Sequence, residues 1–371
     1  MQPGIPYKQA KRSKSNMQCT SYAKIPQKRG GTFRFYSLIA IIVLLLTLSM
    51  TAGAIFGSAP LTIKQVMTVL QFKCTGVKTA DFYLPHFFIV WDLRIPRSIL
   101  ALAAGGTLAV AGVAMQAITQ NVLADPYILG ISSGASAAVG FVFFMGGALY
   151  FSSYSIPLFA FCGAIFSLML VYKIGKVGSS SSTRLVLAGI AVSMAFHALT
   201  QFFITIMPEN ANLALLVSWM MGSLAGARWN NIAVPCIGSL IGVCFFFITA
   251  RAFNLISLGD ETALSLGINV KRIKRMTAIC VAFTTGLIVA ASGIIGFVGF
   301  IIPHIIRLIA GSDHWRLFPL SFLCGGLFLI WMDILARTAF APQEVPIGVF
   351  TALCGSPFFI WLLSRQNKNL K

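Results

Sequence analysis

Residues 276–310 read MTAICVAFTTGLIVAASGIIGFVGFIIPHIIRLIA, and Arg307 is the one full charge in the run. A helix rising 1.5 Å per residue needs about 20 apolar residues to cross a hydrocarbon core. Ser292 and Gly293 divide the run into two candidate spans, 276–293 and 295–310. The second is short and holds Pro303, His304 and Arg307, so a regular lipid-facing helix is not expected there. The glycines in 293–299 (GIIGFVG), like those in 105–112 (GGTLAVAG), are spaced so that helix backbones can approach closely.

Immediately before it lies a polar island, 251–275, RAFNLISLGDETALSLGINVKRIKR. Gly259 ends what precedes, Asp260 is placed to cap a new helix, and Ala263, Leu264 and Leu266 give that helix one apolar face before Gly267 stops it. Lys271, Arg272, Lys274 and Arg275 follow. Two turns of helix are not stable alone in water, so the piece must lean on the rest of the chain or on a partner. An ordinary solvated loop is the plain alternative, and the surroundings favour a docking element.

The whole chain is 57% hydrophobic and 10% charged, with a mean hydropathy of +0.84. That excludes an ordinary soluble domain and points to an all-α polytopic membrane protein. Further apolar runs at 35–57, 98–118, 130–151, 155–173, 185–206, 231–250, 317–335 and 346–363 bring the expected spans to ten. The net charge of +19 would suggest a nucleic-acid partner in a soluble protein, but its distribution explains it otherwise. With both termini inside, 21 basic residues fall on the inner side and seven on the outer, as the positive-inside rule requires. The organisation read from this is a basic, disordered cytoplasmic tail over 1–34, a ten-span domain over 35–365, and a cytoplasmic tail over 366–371. A cleaved signal peptide competes for 35–57, given Ala52, Gly53 and Ala54, but the long basic tail and the length of the run favour retention. Residues 58–97 read as an outer segment with a short amphipathic piece near 61–70 and interfacial aromatics Phe82, Tyr83, Phe87, Phe88 and Trp91.

No catalytic constellation is present. Gly175-Lys176 is followed by Val177, so there is no phosphate-binding loop, and HExxH is missing. The eight cysteines stand singly, which indicates neither a metal site nor a disulfide framework. Acids within spans are sparse, with Asp333 near the end of one and Asp125 at a membrane edge. An ion-coupled secondary transporter, the reading from a different class, would carry ionisable groups near mid-membrane. The expected energy source is therefore a partner outside the membrane, which a polar docking element suits.

The motifs RIPR (94–97), NVLADPYILGISSGA (121–135), LVLAGIAV (185–192), WMMGSL (219–224), LGDETALSLG (258–267), SGIIGFVGFIIPHIIRLIAGSDH (292–314) and EVPIGVFTALCGSPFFIWLL (344–363) carry a resemblance. From the second span to the C-terminus the chain resembles the iron-siderophore, haem and cobalamin permeases of ABC importers, the FecCD-type permeases. Val122 departs from the usual proline, and the basic tail is longer than usual.

The resemblance implies type II importer architecture in a bacterial inner membrane, with ten helices per subunit in a homodimer. It implies no enzyme activity and no cofactor in this chain, ATP and Mg being bound by two cytoplasmic ATPase subunits. An external substrate-binding protein would deliver a ferric siderophore or related iron chelate, with haem and cobalamin as alternatives. Membrane lipid is a further expected partner, and nucleic acid is not.

Residue by residue, the resemblance places Gly259, Asp260, Glu261, Ala263, Leu266 and Gly267 in a cleft of the ATPase. It makes Arg94, Arg97 and Arg337 exposed rim groups that receive glutamates of the binding protein, guanidinium forks being matched to carboxylates. Snorkelling at the interface is the alternative for those arginines. Within Ser179–Thr183, Ser182 and Thr183 match the constricting pair of a cytoplasmic gate, a serine-rich linker being the alternative. His304 and Arg307 are possible pathway residues, with structural pairing at the helix break expected ahead of ligand contact.

Overall fold

The computed structural model describes residues 30–77, 81–146, 154–175, 182–207 and 211–368, and the regular structure among them is helical throughout. Most of the expected basic tail, the serines 179–181 and the last three residues lie outside the described residues.

Helix α1 (Gly30–Ile55) begins ahead of the apolar run, so residues 30–34, read as tail, are helical. Helix α2 (Ile63–Thr75) is the amphipathic piece, and it runs further than expected because both ends are well capped. The Thr62 hydroxyl accepts from the Gln65 N–H, the Gln65 side chain accepts from the Thr62 N–H at 2.8 Å, and Gly76 closes the helix at φ +72°. Its Val66 and Val69 pack with Ala54 and Val90 in a small apolar cluster.

Helix α3 (Leu84–Thr119) starts well before residue 98. Pro96 offers no N–H and its ring crowds the carbonyl one turn back, which reads in sequence as a start. The chain instead widens into seven residues of π-helix, Phe88–Arg94, which absorb the mismatch and let the helix continue. A turn of 3₁₀ helix, Pro126–Leu129, follows, capped by the Asp125 carboxylate accepting from the Tyr127 N–H at 2.9 Å.

Then come α4 (Ile131–Phe144), α5 (Ser155–Gly175), α6 (Ser182–Ile206) and α7 (Ala211–Met220), the last in a stretch assigned to no span. Helix α8 (Ala233–Ile248) bends by 56° into α9 (Ala250–Ile256), which leads to the six-residue α10 (Asp260–Ser265). Helix α11 (Val270–Ser292) starts within the polar island, capped by the Asn269 side chain accepting from the Arg272 N–H at 3.0 Å. Lys271, Arg272, Lys274 and Arg275 therefore sit on the first turns of a long apolar helix rather than in a loop. Helices α12 (Val298–Ala310), α13 (His314–Thr338) and α14 (Ile347–Lys368) complete the chain, α14 taking in residues read as C-terminal tail.

Each of the ten apolar runs coincides with a helix, but length is unequal. Among the described residues six helices are long and apolar enough to cross a membrane, or seven counting the bent α8–α9 pair. Ile131–Phe144, Val298–Ala310 and Ile347–Leu362 are shorter apolar helices. The fold is thus that of a multi-pass membrane protein with six to seven full-length spans, and not ten of equal reach.

Helix α3 is the axis: its apolar body is almost wholly buried, and α1, α8, α11, α12 and α13 all pack on it. Glycine makes two of these crossings possible. A Cβ on Gly105 would fall well inside 3.0 Å of the Gly325 carbonyl oxygen, and one on Gly112 inside that distance of the Gly299 carbonyl oxygen. Without a hydrocarbon–water contrast to drive helices together, such backbone contact is where the bundle gains its attraction.

Candidate functional site

The bundle has two chemically distinct ends. At the end opposite the basic segment, three arginines converge on α13. Arg94, at the last π turn of α3, donates to the carbonyls of Ala54 and Ile55 at 2.9 and 2.6 Å and to that of Ala59. Gly57 leaves room for it, since a Cβ there would meet the guanidinium at 2.7 Å. Arg97 donates through Nε to Asp333 at 2.7 Å and through Nη1 to Glu344 at 2.8 Å. Arg337 lies 3.1 Å from the other Asp333 oxygen and donates to the Gly53 carbonyl at 3.2 Å.

These are the arginines expected on an exposed rim, and the structure corrects that expectation. Arg94, Arg97 and Arg337 are 4%, 8% and 3% exposed. Burial of three cations is tolerable because Asp333 places one carboxylate oxygen beside each of two guanidiniums while Glu344 and backbone carbonyls accept from other donors of the cluster. Beside them opens a cavity of about 310 Å³, whose wall also carries Glu344 and Arg228. Arg228 is the exposed cation there, with its own turn held by hydrogen bonds to the Ala225 and Ala227 carbonyls. Neighbouring Trp229 donates to the Trp91 carbonyl at 2.8 Å, with its ring 5.2 Å from that of Trp91. Arg228 and Trp229 were not singled out from sequence. The Asp333–Arg337 pairing could have been, because the two are four residues apart on one helix.

At the basic end, the stretch 256–270 is built around one inward residue. Ala263 is fully buried against Ile256 and Val270, so it is not available as a contact, contrary to expectation. Leu264 and Leu266, grouped with it on one face, point outward at 54% and 57% exposure, joined by Leu258 at 66%. The cap position is Gly259, at φ +112°, and Asp260 stands inside the first turn instead of capping it. Its carboxylate accepts from Lys274 Nζ at 2.6 Å, which ties α10 to α11. Glu261 is exposed, and Gly267, at φ +87°, ends the turn with open space about it. Behind α10, Asn254 of α9 donates to the Asp313 carboxylate at 2.8 Å and accepts from the His314 N–H at 2.8 Å, joining the segment to α13.

Thr183 is exposed on the first turn of α6, and Ser182 opens that helix. Arg307 donates to the Gln116 side chain, and Gln116 in turn donates to the Gly299 carbonyl at 3.3 Å, so this cation is engaged with α3. The His304 ring lies 5.7 Å from that of Phe358. A cavity of about 490 Å³ is lined by Phe297, Phe300 and Phe359 together with Asp125 and Tyr127. Among the described residues no three His, Cys, Asp or Glu side chains converge.

With that geometry in view, the chain was compared with known proteins. The model of the FecCD transport family matches residues 41–365. The hemin transport system permease protein HmuU of Yersinia pestis is 39% identical over 282 residues, covering 75% of this chain and 84% of that protein. The Fe(3+)-citrate import system permease protein YfmD of Bacillus subtilis is 37% identical over 295 residues, covering 77% and 86%. Among solved structures, a metal-chelate type ABC transporter in an inward-facing conformation superposes with a TM-score of 0.77 at 27% identity, covering 89% of this chain and 99% of that one.

Proposed function

The chain belongs to the FecCD transport family, whose members are membrane translocation components of ABC transporters rather than enzymes, and from that premise we propose that it is the permease subunit of an ATP-driven importer for a ferric siderophore or related iron chelate. Haem, the cargo named for one relative, is the alternative. In this reading ten helices per subunit, the shorter three included, pack in a homodimer in the bacterial inner membrane, with both termini cytoplasmic. A partner ATPase holds ATP and Mg, and an external binding protein delivers the chelate.

The observation that carries the proposal is the outward set Leu258, Leu264 and Leu266 on a six-residue helix. They stand beside Lys271, Arg272, Lys274 and Arg275 at the cationic end of the bundle, and exposing three leucines together is costly without a partner. Gly259 and Gly267 set the ends of the turn, and the Asp260–Lys274 pair braces it from behind. A braced apolar knob of this kind is suited to insert into the cleft of an ATPase and feel its closure. Glu261 adds an exposed charge for register. Ser182 and Thr183 stand as the gate pair where α6 begins.

At the other end, a carboxylate from the binding protein meets exposed Arg228 first and reaches Arg97 by replacing Glu344, whose side chain is 33% exposed. Arg94 and Arg337 then serve as the buried support of that contact.

The test is uptake and ligand-stimulated ATP hydrolysis in liposomes holding this chain, its ATPase and its binding protein. Leu264→Glu together with Leu266→Glu should leave membrane assembly intact and lower both rates by roughly thirtyfold, the size of a lost apolar hot spot. Iron-chelate uptake by this chain alone, driven by an ion gradient with no ATPase present, would overturn the reading.

A further inference from the structure

We propose that the cleft between the start of α1 and the α12–α13 turn binds one anionic phospholipid of the adjoining leaflet. The inference does not depend on which cargo the protein carries. A cavity of about 350 Å³ lies there, and its wall combines charge with aliphatic surface. Arg34 and Arg316 form its charged mouth, and Leu38, Ile41 and Ile309 supply the aliphatic part. On α1 the order Arg34, Leu38, Ile41 follows the i, i+4, i+7 spacing of one helix face, so charge gives way to aliphatic surface over about 10 Å of helix. Because α1 is one of the six helices long enough to cross, that change of character falls where headgroups meet hydrocarbon.

The electrostatics at the mouth favour an anion. Among the described residues no carboxylate lies within 4.0 Å of Arg34. Arg316 has one acid nearby, Asp313, at 4.0 Å from its Nε. Asp313 is already committed through its other oxygen, which accepts from the Asn254 side chain at 2.8 Å and the Trp315 N–H at 3.1 Å. The Arg316 guanidinium rests over the Phe35 ring, 5.8 Å from its centroid, and both residues line the cleft. Two guanidiniums facing one site match the oxygens of a phosphodiester, which accept paired N–H bonds. A soluble anion would use only the mouth, whereas a phospholipid also covers the aliphatic wall beneath it.

The full chain in detergent micelles with equal amounts of phosphatidylglycerol and phosphatidylcholine of the same acyl composition, read by native mass spectrometry, tests this. One phosphatidylglycerol per chain should be retained over phosphatidylcholine, by about fivefold for each guanidinium. Arg34→Gln and Arg316→Gln should each remove about one such factor, while Lys173→Gln, at an exposed cation on another helix, should leave retention unchanged. Filling the aliphatic part with Leu38→Trp should release the lipid although both arginines remain. Equal retention of the two lipids by the wild type, or wild-type selectivity in both Arg→Gln variants, would overturn the proposal. So would release of phosphatidylglycerol by inorganic phosphate alone, which would make the cleft a soluble-anion site. If Arg316→Gln lowers the melting temperature, Arg34→Gln decides, since Arg34 is exposed and braces nothing else.

Discussion

Asp333→Asn should lower the stability of the solubilised protein by about 3–5 kcal/mol, the cost of removing one partner from a buried ion cluster. Asp333 is 1% exposed and stands between Arg97 at 2.7 Å and Arg337 at 3.1 Å. Without its charge two guanidiniums remain buried close together, with Glu344 the only acid left in contact with Arg97. Both are largely buried where they stand, at 8% and 3% exposure, so neither charge is well solvated in place. Glu344→Gln is the internal comparison: a partly exposed pair is worth up to about 1 kcal/mol, so its effect should be several times smaller. Thermal unfolding in detergent, followed by circular dichroism, reads both. A melting temperature for Asp333→Asn equal to that of the wild type would show that the carboxylate does not hold the cluster.

Gly112→Val is the second large effect. The new Cβ would collide with the Gly299 carbonyl oxygen, and the obstacle is backbone, which has no rotamer to turn away. Relief requires separating α3 from α12, and overpacking of this kind costs about 1–3 kcal/mol even where side chains can yield. The expected result is loss of at least that much stability, or failure to assemble in the membrane. Gly226→Ala serves as the comparison, because nothing lies within 4 Å of a Cβ at Gly226. Its stability should stay within about 0.5 kcal/mol of the wild type. Equal behaviour of the two variants would remove the close crossing from the account of stability.

Much of this architecture is legible in the sequence, and the failures have identifiable causes. Apolar runs mark helices because a hydrocarbon solvent leaves no other backbone solution. The same run does not report how far the helix extends: α3 continues back to Leu84 through aromatic and charged residues, since a π turn makes Pro96 harmless. The short helix over 260–265 is marked in the sequence by its flanking glycines and its island of polarity. Its inside and outside are not, because in so short a helix Ala263, Leu264 and Leu266 are apolar alike and only packing on Ile256 and Val270 separates them. The three arginines were placed on the surface because charge is normally solvated. Apart from the i,i+4 pair of Asp333 and Arg337, their burial depends on partners distant in sequence that no local pattern announces: Asp333 and Glu344 for Arg97, and the carbonyls of Gly53, Ala54 and Ile55 for Arg337 and Arg94. Arg34 and Arg316 are likewise neighbours only after folding.

Helix α13 carries a consequence of its own. One end is fastened to the docking segment through Asn254, Asp313 and His314, and the other holds Asp333 and Arg337. It has 25 residues, so it is a rod of about 37 Å. A rod of that length converts each degree of tilt about one end into about 0.6 Å of travel at the other. The Asp333–Arg337 pair lies within the rod and moves with it, but the 2.7 Å Arg97–Asp333 contact joins it to α3 and has little slack against travel of that size. Geometrically, then, a small tilt of this rod about its Asn254 end would be enough to part Arg97 from Asp333 at the other.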